Sequence, residues 1–156
     1  MNDTLMNSAR AWIADDPDPV TAAAGERLLE EGNLEEIRSH FGSRLKFGTA
    51  GLRGALGPGP NRMNSALVIR VSSAVGQYVQ DQVSQAHEKG IIVAYDGRHG
   101  SEQFAIDSVE ILGALGYRVF LFDSVIPTPR LAHAVKHLKA AAGIMVTASH
   151  NPPNDN

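Results

Sequence analysis

Cysteine is absent from all 156 residues, which removes disulfide frameworks, thiolate nucleophiles and cysteine-held metal sites. That absence suits a reducing compartment. An excess of positive charge is missing too. The formal net charge is −3 and the pI is near 6.0, so there is no electrostatic case for nucleic acid or an anionic membrane as partner. No apolar run approaches the roughly 18 residues that a membrane span needs. The N-terminus, MNDTLMNSARAWIADD, has neither a basic start nor a continuous apolar centre, so it does not read as a signal peptide. Neither a GxGxxG turn after a strand nor a GxxxxGK[ST] loop occurs, which argues against the common nucleotide-binding sites. Internal repeats and low-complexity segments are likewise missing. These absences leave a soluble, cytoplasmic domain as the expectation.

What is present fits a globular core. The apolar fraction of 43% and charged fraction of 20% lie in the usual range for a packed domain. The length accommodates one ordinary domain preceded by a helical extension over residues 1–42, with the main domain over 43–156. In the extension, Leu5, Met6, Ala9, Trp12 and Ile13 fall at helical spacing. Pro17 and Pro19 break that pattern. Asp18 and Pro19 then read as cap and first turn of a second helix with Val20, Ala24, Leu28 and Leu29 on its apolar side. The acidic residues Asp15, Asp16 and Asp18 read as capping groups rather than a metal site. Asn33 caps a third helix through Phe41.

Arg44–Phe47 is a short strand candidate, opening into the glycine-rich GTAGLRGALGPGP of residues 48–60. A long helix is predicted from about Asn64 to Lys89, with Val68, Val71, Val75, Tyr78, Val79, Val83 and Ala86 as its stripe and Gly90 as its stop. Beyond Gly90 the chain alternates. Strands at 91–95, 119–122 and 144–146 are separated by helices at Ser101–Leu115 and Thr128–Lys139. Phe104, Ala105, Val109 and Leu112 point inward from the first helix, and Leu131, Ala134, Val135 and Leu138 from the second. Continuously apolar strands imply burial on both faces. The fold class is therefore α/β, a three-layer α/β/α domain with a mostly parallel sheet.

Ligands in such sheets bind beyond the carboxyl ends of the strands. Three loops leave those ends: Asp96–Gly100, Asp123–Pro127 and Thr147–Pro153. The last carries Ser149 beside His150, the pairing that nucleophilic or phosphoryl-carrying chemistry requires. Pro152 and Pro153 stiffen it, and Thr147, Ser149 and Asn151 can bond neighbouring backbone to lock its shape. On physics alone this loop is equally a rigid turn. Asp96 and Arg98 read as a turn pair that bonds to itself. His133 and His137, four apart on a helix, have metal-ligand spacing but lack a third ligand and read as exposed histidines. Pro127–Pro129 reads as a helix start.

Two motifs carry more. Thr147-Ala148-Ser149-His150-Asn151-Pro152 resembles the active-site serine loop of the α-D-phosphohexomutase family, the phosphoglucomutases and phosphomannomutases. Phe47-Gly48-Thr49-Ala50-Gly51-Leu52-Arg53-Gly54 resembles that family's N-terminal motif. The stretches at 14–19 and 47–64 look closest to the branch that includes phosphopentomutases. The resemblance covers nearly the whole chain.

It implies an intramolecular phosphotransferase that interconverts sugar 1-phosphate and 6-phosphate, or pentose 1- and 5-phosphate. Ser149 is then the phosphoserine, and a sugar 1,6-bisphosphate is the intermediate and activator. Mg2+ is the implied cofactor, reached by Ser149 through its phosphate. His150 is the second catalytic candidate. Arg53, Thr49, Gly51 and Asn151 are the phosphate-binding candidates, Arg53 for its planar permanent charge and the glycines for close backbone approach. The implied partners are a small phosphosugar and the downstream domains of the same protein, since the family works with four domains and this chain holds the first. A fragment inactive by itself is the resulting expectation. The alternatives are a stand-alone, non-catalytic sugar-phosphate-binding or regulatory module, and an unrelated nucleotide-binding domain.

Overall fold

A computed structural model describes residues 2–49, 51–152 and 154–156. Ala50 of the glycine-rich motif and Pro153 of the serine loop lie outside the described residues. Two compact units make up the chain. One comprises Met1–Leu67 with His150–Asn156, the other Val68–Ser149.

In the first unit, helices α1 (Asn2–Ala14), α2 (Pro19–Glu31) and α3 (Leu34–Phe41) pack on one another. Ala9, Ile13, Ile37 and Phe41 form the buried centre, with Leu5, Met6, Trp12, Leu28 and Leu29 packed against it. The helical spacing read from the sequence thus holds for α1. Val20, expected on the apolar side of α2, is 72% exposed. It sits in the first turn, and the close contact falls a turn and a half later. There Gly25 lets Ile13 approach so nearly that a Cβ would lie 2.7 Å from its side chain. The acidic cluster caps as expected. Asp18 accepts from the Val20 amide at 2.8 Å, and Asp16 accepts from the Thr21 hydroxyl at 2.8 Å. Asn33 accepts from the Glu35 and Glu36 amides to start α3.

No strand forms at Arg44–Phe47. A strand needs a partner, and among the described residues this segment finds one backbone bond, from the Leu45 amide to the Pro60 carbonyl at 3.0 Å. Asn64, 1% exposed, organises the chain on both sides of it. Its amide nitrogen lies 2.9 Å from the carbonyls of Gly57 and Gly59 and 3.3 Å from that of Arg62, while its oxygen caps the next helix at the Leu67 amide.

That helix, α4, spans Ser65–Gln82, and a separate turn, α5, spans Ala86–Lys89. The predicted single helix is broken because Gln85 adopts φ 56°, a left-handed conformation that α-helix cannot include. Tyr78, expected inward, is 66% exposed. Within the second unit the buried positions of α4 include Val68, Ser72, Gly76 and Val79, a mostly small set that admits a neighbour. The neighbour is α6 (Ser101–Ala114). Ser72 donates to Ser108 at 3.0 Å, and a Cβ at Gly76 would sit 3.0 Å from Leu112.

The sheet contains β1 (Ile91–Tyr95), β2 (Val119–Leu121) and β3 (Ala142–Val146), all parallel, in the order β2-β1-β3. All of β1 is buried, whereas β2 and β3 are only partly so. Burial on both faces therefore holds for the central strand alone, because each outer strand has a neighbour on one side only. Alternation divides β1 between layers. Ile92 and Ala94 join Leu131 and Ile126 under α7 (Thr128–Leu138), with Val135 and Met145 packed against them, so Ile91, Val93 and Tyr95 face the opposite way. Leu138 lies outside this cluster and is 52% exposed, contrary to expectation, since it occupies the fraying last turn of α7. The α/β class with helices around a parallel sheet stands as read.

Candidate active site

In the second unit, strand register builds the site. Tyr95 of β1 is matched with Val146 of β3, and the Asp96 amide donates to the Val146 carbonyl at 3.1 Å. One residue further on, Asp96 and Thr147 leave the sheet side by side. The Thr147 hydroxyl donates to Asp96 Oδ2 at 2.6 Å and accepts from the Ser149 amide at 2.9 Å. Asp96 Oδ1 accepts from the Ser101 hydroxyl at 2.8 Å and from the Arg98 amide at 3.1 Å. Arg98 then closes a ring. Its Nε lies 3.5 Å from Asp96 Oδ2, and its Nη2 donates to the Ser149 carbonyl at 2.7 Å.

Ser149 is exposed and has φ 57°, one of three non-glycine residues with positive φ among those described. Such a backbone costs roughly 1–2 kcal/mol for an L-residue. The residue is thus exposed on a loop, with its own amide and carbonyl both held. The mutual pairing of Asp96 and Arg98 expected from the sequence is present, but it extends to Thr147 and Ser149. Sequence reading missed that extension. The signal was the spacing of the strand ends, since equal register places the first residue after β1 beside the first after β3.

The loop Asp123–Pro127 returns to β1, the Ile126 amide donating to the Tyr95 carbonyl at 3.1 Å. The Tyr95 hydroxyl lies 3.5 Å from Glu102. Burial first, then the Glu102 and Asp123 charges, push its pKa above the ordinary tyrosine value.

The other candidates belong to the first unit. Gly48 and Gly51 exchange backbone bonds at 2.9 and 3.3 Å, making a tight turn with Thr49 exposed at it. Arg53 is half-buried and forms no hydrogen bond or ion pair with the described residues. The segment after the serine lies along the glycine-rich one. Gly54 and Asn156 exchange two backbone bonds of 3.0 Å, and the Leu56 amide donates to the Asn154 carbonyl at 3.1 Å. Asn151 donates to Asp155 at 3.0 Å, which shapes this return. His150 is exposed. The structure thus brings Arg53, Thr49, Gly51, His150 and Asn151 into one unit and places Ser149 with Asp96, Arg98 and Thr147 in the other.

His133 and His137 share a face of α7, as their spacing requires, with ring centroids 5.8 Å apart. Among the described residues no three His, Cys, Asp or Glu side chains gather to hold a metal ion. A complete magnesium cage, which takes several oxygen ligands, is therefore not formed by these side chains. No helix of the described residues is long and apolar enough to cross a membrane.

Residues 44–156 match the family described as phosphoglucomutase/phosphomannomutase, alpha/beta/alpha domain I. The chain belongs to this family. Among curated relatives, the human phosphopentomutase is 42% identical over 151 residues, which is 93% of this chain and 25% of that protein. The mouse glucose 1,6-bisphosphate synthase is 37% identical over 151 residues, covering 93% and 24% respectively. A crystal structure of a Thermus thermophilus protein assigned as a phosphomannomutase superposes with a TM-score of 0.63 at 35% identity, covering 72% of this chain and 24% of that one. The chain thus spans about a quarter of the length of the relatives it matches. Its relatives include a phosphopentomutase and a glucose 1,6-bisphosphate synthase, and the part it matches is the family's alpha/beta/alpha domain I.

Proposed function

We propose that Ser149 is the phosphate carrier of a phosphosugar mutase, exchanging a phosphoryl group with a sugar bisphosphate. The observation that carries this reading is the serine's presentation. Its backbone is held in a left-handed conformation by bonds to both its amide and its carbonyl, while the residue itself is exposed. A rigid turn needs a fixed backbone but has no use for a serine at positive φ, where glycine or asparagine would be cheaper.

Transfer to Ser149 forms a bond from its Oγ to phosphorus and breaks the bond from phosphorus to the sugar oxygen. The serine's proton leaves as the sugar oxygen gains one, and His150, next in sequence, is the candidate to move it. Arg53, whose guanidinium has no competing carboxylate among the described residues, is the candidate to bind a phosphate of the substrate. Thr49, Gly51 and Asn151, in the same compact unit as Arg53, are the further phosphate-binding candidates. Phosphoryl transfer relies on positioning and charge neutralisation, which suits such parts. Mg2+ is the proposed cofactor of the longer protein and a sugar 1,6-bisphosphate its activator. Pentose and hexose phosphates are both within reach of the family's relatives, and a reducing cytoplasm is the proposed setting.

By itself this chain is proposed to take up phosphate without catalysing turnover. The test is to incubate it with glucose 1,6-bisphosphate or ribose 1,5-bisphosphate and Mg2+, and to follow intact mass. One added phosphoryl group, located on Ser149 and lost in Ser149→Ala, is expected. Mass uptake that survives Ser149→Ala, or no uptake from either donor, would overturn the carrier role. Glucose 6-phosphate forming from glucose 1-phosphate at enzyme-like rates would overturn the second part.

A further inference from the structure

We infer that Asp96 is a positioning residue for Ser149, acting through Thr147 on one side and Arg98 on the other. This rests on the carrier role proposed above, but the geometry behind it is separate. Asp96 touches neither the serine amide nor its carbonyl. Instead it fixes the two groups that do. By accepting the only hydroxyl proton of Thr147 at 2.6 Å, it leaves the Thr147 lone pairs to face the Ser149 amide, 2.9 Å away. By lying 3.5 Å from Arg98 Nε, it orients the guanidinium whose Nη2 bonds the Ser149 carbonyl at 2.7 Å. Both arms end on one residue, which has φ 57°. The strain there persists only because the surroundings over-determine it.

The carboxylate is required for its acceptors. Its two oxygens take protons from the Arg98 amide and the Ser101 hydroxyl on one side, and from Thr147 on the other, with Arg98 Nε beside the second oxygen. An asparagine keeps the shape but has one acceptor oxygen. Its amide nitrogen would face either the Arg98 N–H or the Arg98 Nε–H, donor against donor. Asp96→Asn therefore breaks the anchor at the Arg98 amide if the amide turns one way, and the contact with the Arg98 guanidinium if it turns the other. Ser101, in the first turn of α6, anchors the carboxylate to the scaffold, so the serine's conformation is tied to a rigid helix rather than to its own loop.

The experiment uses the whole chain, with Asp96→Asn, Thr147→Val and Thr147→Ser. Two quantities are read: the backbone carbon-13 and nitrogen-15 shifts of Ser149, which report its φ, and the rate of phosphoryl uptake from glucose 1,6-bisphosphate by intact mass. Asp96→Asn and Thr147→Val are expected to move Ser149 out of the left-handed shift pattern and to slow uptake roughly tenfold to a hundredfold, the scale of a misplaced reacting group. Thr147→Ser, which restores the hydroxyl, is expected to restore both. Thr147→Val is nearly isosteric and decides the matter if Asp96→Asn loses its fold. Ser149 shifts unchanged in Thr147→Val would overturn the inference, as would a Thr147→Ser no better than valine. If the unsubstituted chain takes no phosphate, the carrier role falls, and the Ser149 shifts still decide the role of Asp96.

Discussion

Asn64 shows how much a single polar side chain can organise. It is 1% exposed, bonds the carbonyls of Gly57 and Gly59, and caps α4. Removing a cap costs about 1 kcal/mol, and leaving the one fully buried carbonyl, that of Gly59, without a donor costs about 1–3 kcal/mol. Asn64→Ala is therefore expected to destabilise the chain by about 2–4 kcal/mol, read as a fall in urea midpoint at constant slope. Asn64→Asp keeps the cap but turns an acceptor towards the carbonyls, so it is expected to be no better than alanine. Tyrosine gives the pH dependence. Burial first, and then nearby Glu102 and Asp123 for Tyr95 or Asp81 for Tyr117, raise both pKa values above the ordinary 10.0. A raised pKa means the neutral form is favoured in the fold. The stabilisation is then full below the ordinary value and is lost as pH rises through the folded ones. Absorbance at 295 nm should show two tyrosines ionising late, with unfolding following on the alkaline side.

Among the elements, α7 and β3 show steric fit overriding propensity. Gly143 is matched with Ile92 in register, and a Cβ there would lie 2.7 Å from Val135 and 3.3 Å from Leu131. Alanine would regain about 0.5–1 kcal/mol of strand preference over glycine, but overpacking costs about 1–3 kcal/mol. The clash wins, and Gly143→Ala is expected to lower the thermal midpoint. The same tension explains what the sequence conveyed of the elements. Helices α1 to α3, α6 and α7, the three strands and the caps at Asp18 and Asn33 follow from period and local chemistry, which a sequence displays directly. The break at Gln85 does not, because nothing in its side chain announces a left-handed backbone. Nor does the outward Tyr78, since the stripe 68, 72, 76, 79 is chosen by what α6 can approach, and small residues give a weak apolar signal. Arg44–Phe47 looks like a strand by composition and lacks only a partner.

For the chain as a whole, the two family motifs were legible as residues, whereas the bonds between loops were not. Contacts such as Thr147 to Asp96, 51 residues apart, depend on register. The return of the last residues onto the glycine-rich segment is another long-range feature, held among the described residues by three backbone bonds, from Leu56 to Asn154 and between Gly54 and Asn156. Deleting residues 154–156 is expected to raise hydrogen exchange at the Gly54 and Leu56 amides by orders of magnitude while the amides of β1 keep their protection. Equal loss in both places would show that the return segment supports more than its own unit.

The positive φ of Ser149 has a last consequence. Glycine at this position would relax the torsional penalty, so Ser149→Gly should make the chain harder to denature, by about 1 kcal/mol, while leaving it without a hydroxyl to esterify. Selection for thermal robustness alone would drift towards that glycine. A lineage that keeps serine there is holding on to an alcohol at the expense of durability.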